Sequence, residues 1–171
     1  MLMNEQDERE FNAFVDANQK KLFGFLRRMG LSIQDAEEVL NDSFLAIWKY
    51  WHRVRDGRSL YLYAVARNEV YERWNAGRGR LEDLMSEPPA ATTGDFTQQV
   101  IDRKAVRWAL SDLTEREREA VLLRYYAGFD VTETAMIMDG ISPGAVKRYA
   151  SDGRRKLNRA LSDTGPGEGG S

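Results

Sequence analysis

The sequence predicts an all-α chain made of two small helical domains joined by a flexible linker, and three observations carry that expectation. Apolar residues recur at spacings of three and four along most of the chain. Helix-starting signals, Ser32 with Asp35, Thr114 with Glu117 and Asp130 with Glu133, stand before such runs. Glycines at 30, 128 and 140 fall where the runs end.

Taken in order, Phe11, Phe14, Val15, Leu22, Phe25, Leu26 and Met29 define one long amphipathic helix that stops at Gly30. Ser32 starts a second, with Ala36, Leu40, Phe44, Ile47, Trp48 and Trp51 as its buried stripe and Asp35, Glu38 and Asp42 on its other face. His52 to Arg58 form a basic loop turning at Asp56-Gly57, and Ser59 begins a third helix that runs to about Asn75. Its Leu62, Val65, Ala66 and Val70 make a core stripe, while Tyr63, Arg67, Tyr71 and Trp74 line a second side. Two readings of that side stay open. Rings beside guanidinium groups can stack and hold an unpaired nucleic-acid strand, or the aromatics can fill an interhelical groove.

Periodicity dissolves over residues 81–99, where Ser86-Glu87-Pro88-Pro89 and its neighbours read as an extended, flexible linker. It resumes near Val100 and continues through Ala105, Val106, Trp108, Ala109 and Leu113. The capping box Thr114-Glu115-Arg116-Glu117 opens a helix through Ala120, Val121, Leu123 and Tyr125 to Gly128, and a short helix through Thr134, Ala135 and Met138 follows. Asp139-Gly140 turns the chain into a last helix capped by Ser142 and Pro143. Val146, Ala150, Gly153 and Leu157 share one of its faces, and Lys147, Arg148, Arg154, Arg155 and Lys156 crowd the rest. A short helix, a tight turn and a basic second helix make a helix-turn-helix suited to a DNA major groove. Gly153 in mid-helix is expected to cost about 1 kcal/mol relative to Ala. The expected division is thus 1–80, linker 81–99, 100–163, and a disordered glycine-rich tail at 164–171.

Composition removes most other functions. With no cysteine and His52 as the one histidine, neither a conventional zinc site nor a Ser-His-Asp site can be assembled, so no metal, cofactor or enzymatic activity is expected. No apolar run is long enough to span a bilayer and the first residues lack a signal-peptide pattern, so the expected location is the cytosol. The formal net charge is −2, but it is partitioned. Met1 to Tyr50 holds nine acids against six bases, Arg53 to Arg80 seven bases against three acids, and Ser142 to Leu161 six bases against Asp152 alone.

Stretches in two separate halves of the chain resemble one family. Asp35 to Trp48 and Tyr61-Leu62-Tyr63-Ala64-Val65-Ala66-Arg67-Asn68 are similar to the second region of extracytoplasmic-function (ECF) sigma factors of the sigma-70 family. Leu113 to Arg124, Glu133-Thr134-Ala135 and Ile141 to Lys147 resemble the fourth region. The resemblance implies a dissociable, cytoplasmic RNA polymerase subunit that directs promoter-specific initiation, with core polymerase (the β′ coiled coil and the β flap), promoter DNA and an anti-sigma factor as partners. It places Asp35, Glu38, Asn41, Asp42 and Leu45 against polymerase. It places His52, Arg53, Arg55, Arg58, Arg67, Asn68, Tyr71 and Trp74 at the minus-ten element, which is opened there with capture of an extruded base. Ser142, Ala145, Lys147, Arg148, Tyr149 and Arg154 fall at the minus-thirty-five element. The family usually carries Thr, Ser and Arg where this chain has Ala145, Arg148 and Tyr149, so no promoter sequence is implied. The alternatives are a sigma-like interaction protein, or a helix-turn-helix regulator that does not itself direct initiation.

Two basic patches in an acidic frame predict that the isolated chain binds DNA weakly and needs a larger assembly for tight binding. A gel shift showing tight, sequence-specific binding by the free protein at moderate salt would contradict this.

Overall fold

The structure is a computed structural model and describes residues 2–77 and 98–163. These residues form helices at Glu5–Met29 (α1), Ile33–Lys49 (α2), Arg58–Asn75 (α3), Gln98–Ser111 (α4), Glu115–Val121 (α5), Val131–Ile137 (α6) and Pro143–Asp163 (α7), with no strand among them. The linker expected at 81–99 and the tail lie outside the described residues, except that α4 already begins at Gln98.

Local chemistry sets the helix ends. Asn4 and Asp7 form a reciprocal capping box at the start of α1, which closes on Gly30 in the left-handed region at φ 115°. Ser32 Oγ accepts the Asp35 N–H at 3.1 Å to start α2. α3 begins one residue earlier than expected, with Gly57 as its cap at φ 72°. Ser59, the expected first residue, donates its hydroxyl to Asn18 Oδ1 of α1 at 3.3 Å.

α1, α2 and α3 pack together as the N-terminal half. Trp51, just after α2, is fully enclosed, with Phe11 and Phe14 of α1 edge-on at 5.4 and 5.7 Å between centroids. Aromatic pairs of this geometry each contribute about 0.5–1.5 kcal/mol beyond area burial. Arg58 closes the other side of the indole at 3.4 Å and donates to the carbonyls of Val54 (2.6 Å) and Trp51 (3.0 Å). A side chain expected to meet DNA is therefore a clamp on the loop.

In the C-terminal half, α7 runs against α4, α5 and α6. Its apolar face is the expected one, with Val146, Ala150 and Gly153 buried. The expectation that Gly153 merely weakens the helix is corrected by the packing. A Cβ there would stand 2.7 Å from Val121 Cγ2 and 3.1 Å from the Glu117 carbonyl oxygen, so the residue lets α5 and α7 approach closely. Trp108, expected in the core stripe of α4, is 65 % exposed, and Ala109, Leu110 and Leu113 are buried in its place.

α5 continues into a π-helical turn at Leu122–Tyr126, where Ala127 N–H donates to the Leu122 carbonyl at 2.8 Å. The wider turn sends the adjacent tyrosines apart. Tyr125 is 52 % exposed, while Tyr126 lies on α1 with the Arg28 guanidinium 4.4 Å from its ring centre. Gly24 permits that contact, since a Cβ would fall 2.0 Å from the Tyr126 hydroxyl. Phe129 meets Tyr63 of α3 at 5.0 Å. The two halves are thus packed against each other through α1 and α3.

Gly153→Ala is expected to lower stability by about 1–3 kcal/mol, the usual cost of overpacking, in spite of Ala's better helix propensity. Urea unfolding of the variant checks this; a gain in stability would mean that α5 and α7 are not in contact.

Candidate nucleic-acid interface

The helix-turn-helix carries its basic groups as the sequence implied. Asp130 and Glu133 cap α6 reciprocally, Asp139 and Gly140 turn the chain at φ 61° and 71°, and Ser142 Oγ accepts the Ala145 N–H at 3.1 Å to open α7. Lys147, Arg148 and Arg154 are exposed. Tyr149 is half-buried against the core with Arg148 5.2 Å from its ring centre, so it supports that arginine from below. Ala145 is also half-buried.

Two other basic residues of α7 are engaged. Arg155 pairs with Asp152 one turn earlier, and Lys156 donates to Glu117 Oε1 at 2.8 Å. Burial opposes ionisation of Glu117, yet Lys156 and the backbone and hydroxyl donors of Thr114 outweigh it and hold the carboxyl below its ordinary range.

Sequence reasoning missed Tyr125, naming it only as one of the apolar residues along its helix. Its exposed ring lies between Arg154 at 5.3 Å and Arg124 at 5.7 Å, over a depression of about 410 Å³ that Lys147, Ser151 and Arg155 also line.

The N-terminal residues are divided. Arg53, Arg55 and Asn68 are exposed. His52 faces inward, with Nε2 3.4 Å from Asp7 Oδ2 of α1. Arg67 and Trp74 are only 3 % and 4 % exposed, and Tyr71 is half-buried. Arg67 Nε donates to Glu119 of α5, Arg67 Nη1 pairs with Asp139 Oδ2 at 2.7 Å, and Tyr71 Oη donates to Glu119 Oε2 at 2.7 Å. Burial pushes the Glu119 carboxyl upward against the pull of Arg67 and the Tyr71 hydroxyl. Burial also works against the Arg67 cation, which Glu119 and Asp139 hold in its charged form. Of the two readings of this side of α3, packing is the one present here, and no strand can reach it while the halves are in contact.

On α2, Asp35, Glu38 and Asp42 surround Arg73 of α3 at 3.4, 2.9 and 3.8 Å, so the acidic face is partly neutralised. Asn41 and the 65 % exposed Leu45 border an open groove of about 650 Å³ between α1 and α2, floored by Val15, Leu40, Phe44 and Trp48. Among the described residues there is no cluster suited to a metal ion, and no helix is long and apolar enough to cross a membrane.

Comparison with known proteins bears on both halves. The family model for Sigma-70 region 2 matches residues 14–80, and that for Sigma-70, region 4 matches residues 103–157. The chain is 31% identical over 155 residues to the RNA polymerase sigma-E factor of Streptomyces avermitilis, covering 89% of this chain and 85% of that one. It belongs to the ECF sigma factors of the sigma-70 family. It is also 25% identical over 159 residues to the ECF RNA polymerase sigma factor SigL of Mycobacterium tuberculosis, covering 90% and 89% of the two chains. The solved sigma factor RpoE of Bartonella quintana, crystallised with the anti-sigma factor NepR, has the same fold at a TM-score of 0.74 and 22% identity, over 91% of this chain and 99% of that one. As a sigma factor the chain binds core RNA polymerase and directs promoter-specific transcription initiation.

Glu117→Gln in this sigma factor keeps the cap and loses the charge. The depressed native carboxyl stabilises fully above its unfolded value near 4.5 and loses that contribution as pH falls through its folded value. The variant is expected to be less stable by about 1 kcal/mol at neutral pH, discounted because Lys156 is half exposed, and to match the native chain in strong acid. Thermal melts across pH check this; a constant difference would mean that the pairing with Lys156 contributes nothing.

Proposed function

We propose that residues 1–80 are the polymerase-docking and minus-ten unit and residues 100–163 the minus-thirty-five unit of this sigma factor, tethered through 81–99. The observation that carries the reading is the helix-turn-helix: Lys147 and Arg148 project from a sharply capped helix whose opposite face is locked into its own core. Such cations suit guanine edges and phosphates in the major groove, and the Ala145 methyl suits a thymine methyl. The Ser142 hydroxyl is taken by the cap, and Tyr149 acts by propping Arg148. Arg154 and Tyr125 belong to the rim that meets the backbone.

The polymerase surface is α2. The groove beside Asn41 and Leu45 offers apolar area, and the carboxylates of Asp35, Glu38 and Asp42, fixed by Arg73, offer a negative rim; together they fit an amphipathic helix with basic flanks such as a coiled-coil strand of the β′ subunit. The β flap is the proposed partner of the second unit. Arg53, Arg55 and Asn68 are available to the minus-ten strand in the arrangement described, whereas Arg67, Tyr71 and Trp74 become available when the halves part. Initiation then needs no catalytic group in this chain, since base capture and polymerase contacts offset an opening cost of about 1–2 kcal/mol per base-pair step. The chain acts in the cytoplasm, where polymerase is. The solved sigma factor RpoE, which shares this fold, is bound to the anti-sigma factor NepR. That supports an anti-sigma partner here too, one that binds the packed arrangement.

Transcription in vitro from fragmented genomic DNA, with core polymerase and with or without this chain, tests the reading. Added transcript starts sharing two spaced upstream motifs are expected. Lys147→Ala with Arg148→Ala should reduce them about tenfold or more while leaving polymerase binding intact, and Leu45→Glu should abolish that binding. Unchanged starts in the double variant would contradict the minus-thirty-five assignment.

A further inference from the structure

The environment of Arg67 has a chemistry of its own. A guanidinium presents a planar fork of donors, and its usual partner in a nucleic-acid protein is a pair of phosphate oxygens. Here the fork is filled by oxygens from two carboxylates of the other half of the chain, Glu119 on α5 and Asp139 in the turn between α6 and α7. Tyr71 completes the arrangement by donating to the second oxygen of Glu119. Trp74, buried, lies edge-on to the half-buried Tyr71 at 5.3 Å.

Asp139 is unusual on two counts. It is the one non-glycine with positive φ among the described residues, at 61°, a conformation that glycine or asparagine adopts more readily. It is also 67 % exposed, yet its carboxylate reaches Arg67 at 2.7 Å. Strain of this kind persists where surrounding contacts hold it. A turn alone would be served better by Gly or Asn; what Asp adds is the negative charge directed at Arg67.

We propose that Glu119 and Asp139 are built-in phosphate mimics that occupy Arg67 and, with Tyr71 half-buried and Trp74 buried beside it, lock the free chain against capture of the minus-ten strand until its halves part. The proposal rests on the minus-ten reading given above. Burial makes the lock releasable. Opening it returns two desolvated charges to water, which offsets much of the Coulomb attraction lost, so a competing phosphate strand or a polymerase surface that holds the halves apart can release it.

The test uses the free full-length chain and a fluorescent, mixed-sequence single-stranded DNA followed by anisotropy. Asp139→Asn is the mild variant, because Asn tolerates the left-handed backbone and only the charge is lost. Asp139→Asn should bind several-fold more tightly than the native chain, and the double variant with Glu119→Gln about tenfold more tightly, each charge-assisted bond to Arg67 contributing on that scale. The salt dependence of the double variant should steepen by about 0.7 in log K against log salt for one extra phosphate contact. Adding Arg67→Ala should remove the gain. Binding no tighter than native in Asp139→Asn and in a double variant shown folded by circular dichroism would overturn the lock; if the double variant does not fold, Asp139→Asn alone decides. Permanganate footprinting of the holoenzyme at its promoter separates the two levels. Intact melting with Arg67→Ala would overturn the minus-ten reading and the lock with it, whereas impaired melting without a gain in free-chain binding would overturn the lock alone.

Discussion

Arg67 is the constraint on which the arrangement of this sigma factor depends. It sits in the middle of α3, among residues that a helix of the N-terminal half needs for its own packing, and its charge is satisfied entirely by the C-terminal half. Removing Arg67 or the buried Glu119 would leave the other's buried charge without its main partner, which is far more costly than the net worth of the pair. The apolar contacts around it, Phe129 on Tyr63 and Tyr126 on α1, are what bring the carboxylates within reach. Gly24 makes room for Tyr126 and the π-turn at Leu122–Tyr126 carries that ring, so backbone details far from the pair set its geometry.

The same arrangement divides the basic residues by availability. Lys147 and Arg148 point outward on a rigid helix and read as ready for duplex DNA. Arg53 and Arg55 are exposed on a loop pinned by Arg58 and Trp51. The aromatic and cationic side of α3 is withheld. A two-module protein gains from such a division, because weak modules act together only when both are held on one assembly, where each raises the effective concentration of the other.

Helix positions and caps were legible in the sequence because they depend on local chemistry: the boxes at Thr114 and Asp130 and the caps at Ser32 and Ser142 are where the spacing put them. The recognition helix was legible for the same reason. The contact between halves was not, because Glu119 and Asp139 lie 52 and 72 positions beyond Arg67 and nothing local pairs them. The role of Gly153 was misread on propensity, since propensity takes no account of a neighbouring helix that leaves no space for a Cβ. Arg58 and His52 were placed at the minus-ten element by family resemblance, which carries position along the chain but not packing, whereas Arg58 stacks on Trp51 and His52 turns to Asp7. Tyr125 was hidden by a π-turn that no residue pattern announces.

The absence of cysteine allows a direct measurement. Spin labels on Glu37→Cys and Arg159→Cys, both exposed and one in each half, report the separation of the halves by pulsed electron paramagnetic resonance. The account predicts one narrow distance in the free chain, matching the packed arrangement, and a longer one when the labelled chain is bound to core polymerase. A broad spread of long distances in the free chain, or the same short distance on polymerase, would contradict it.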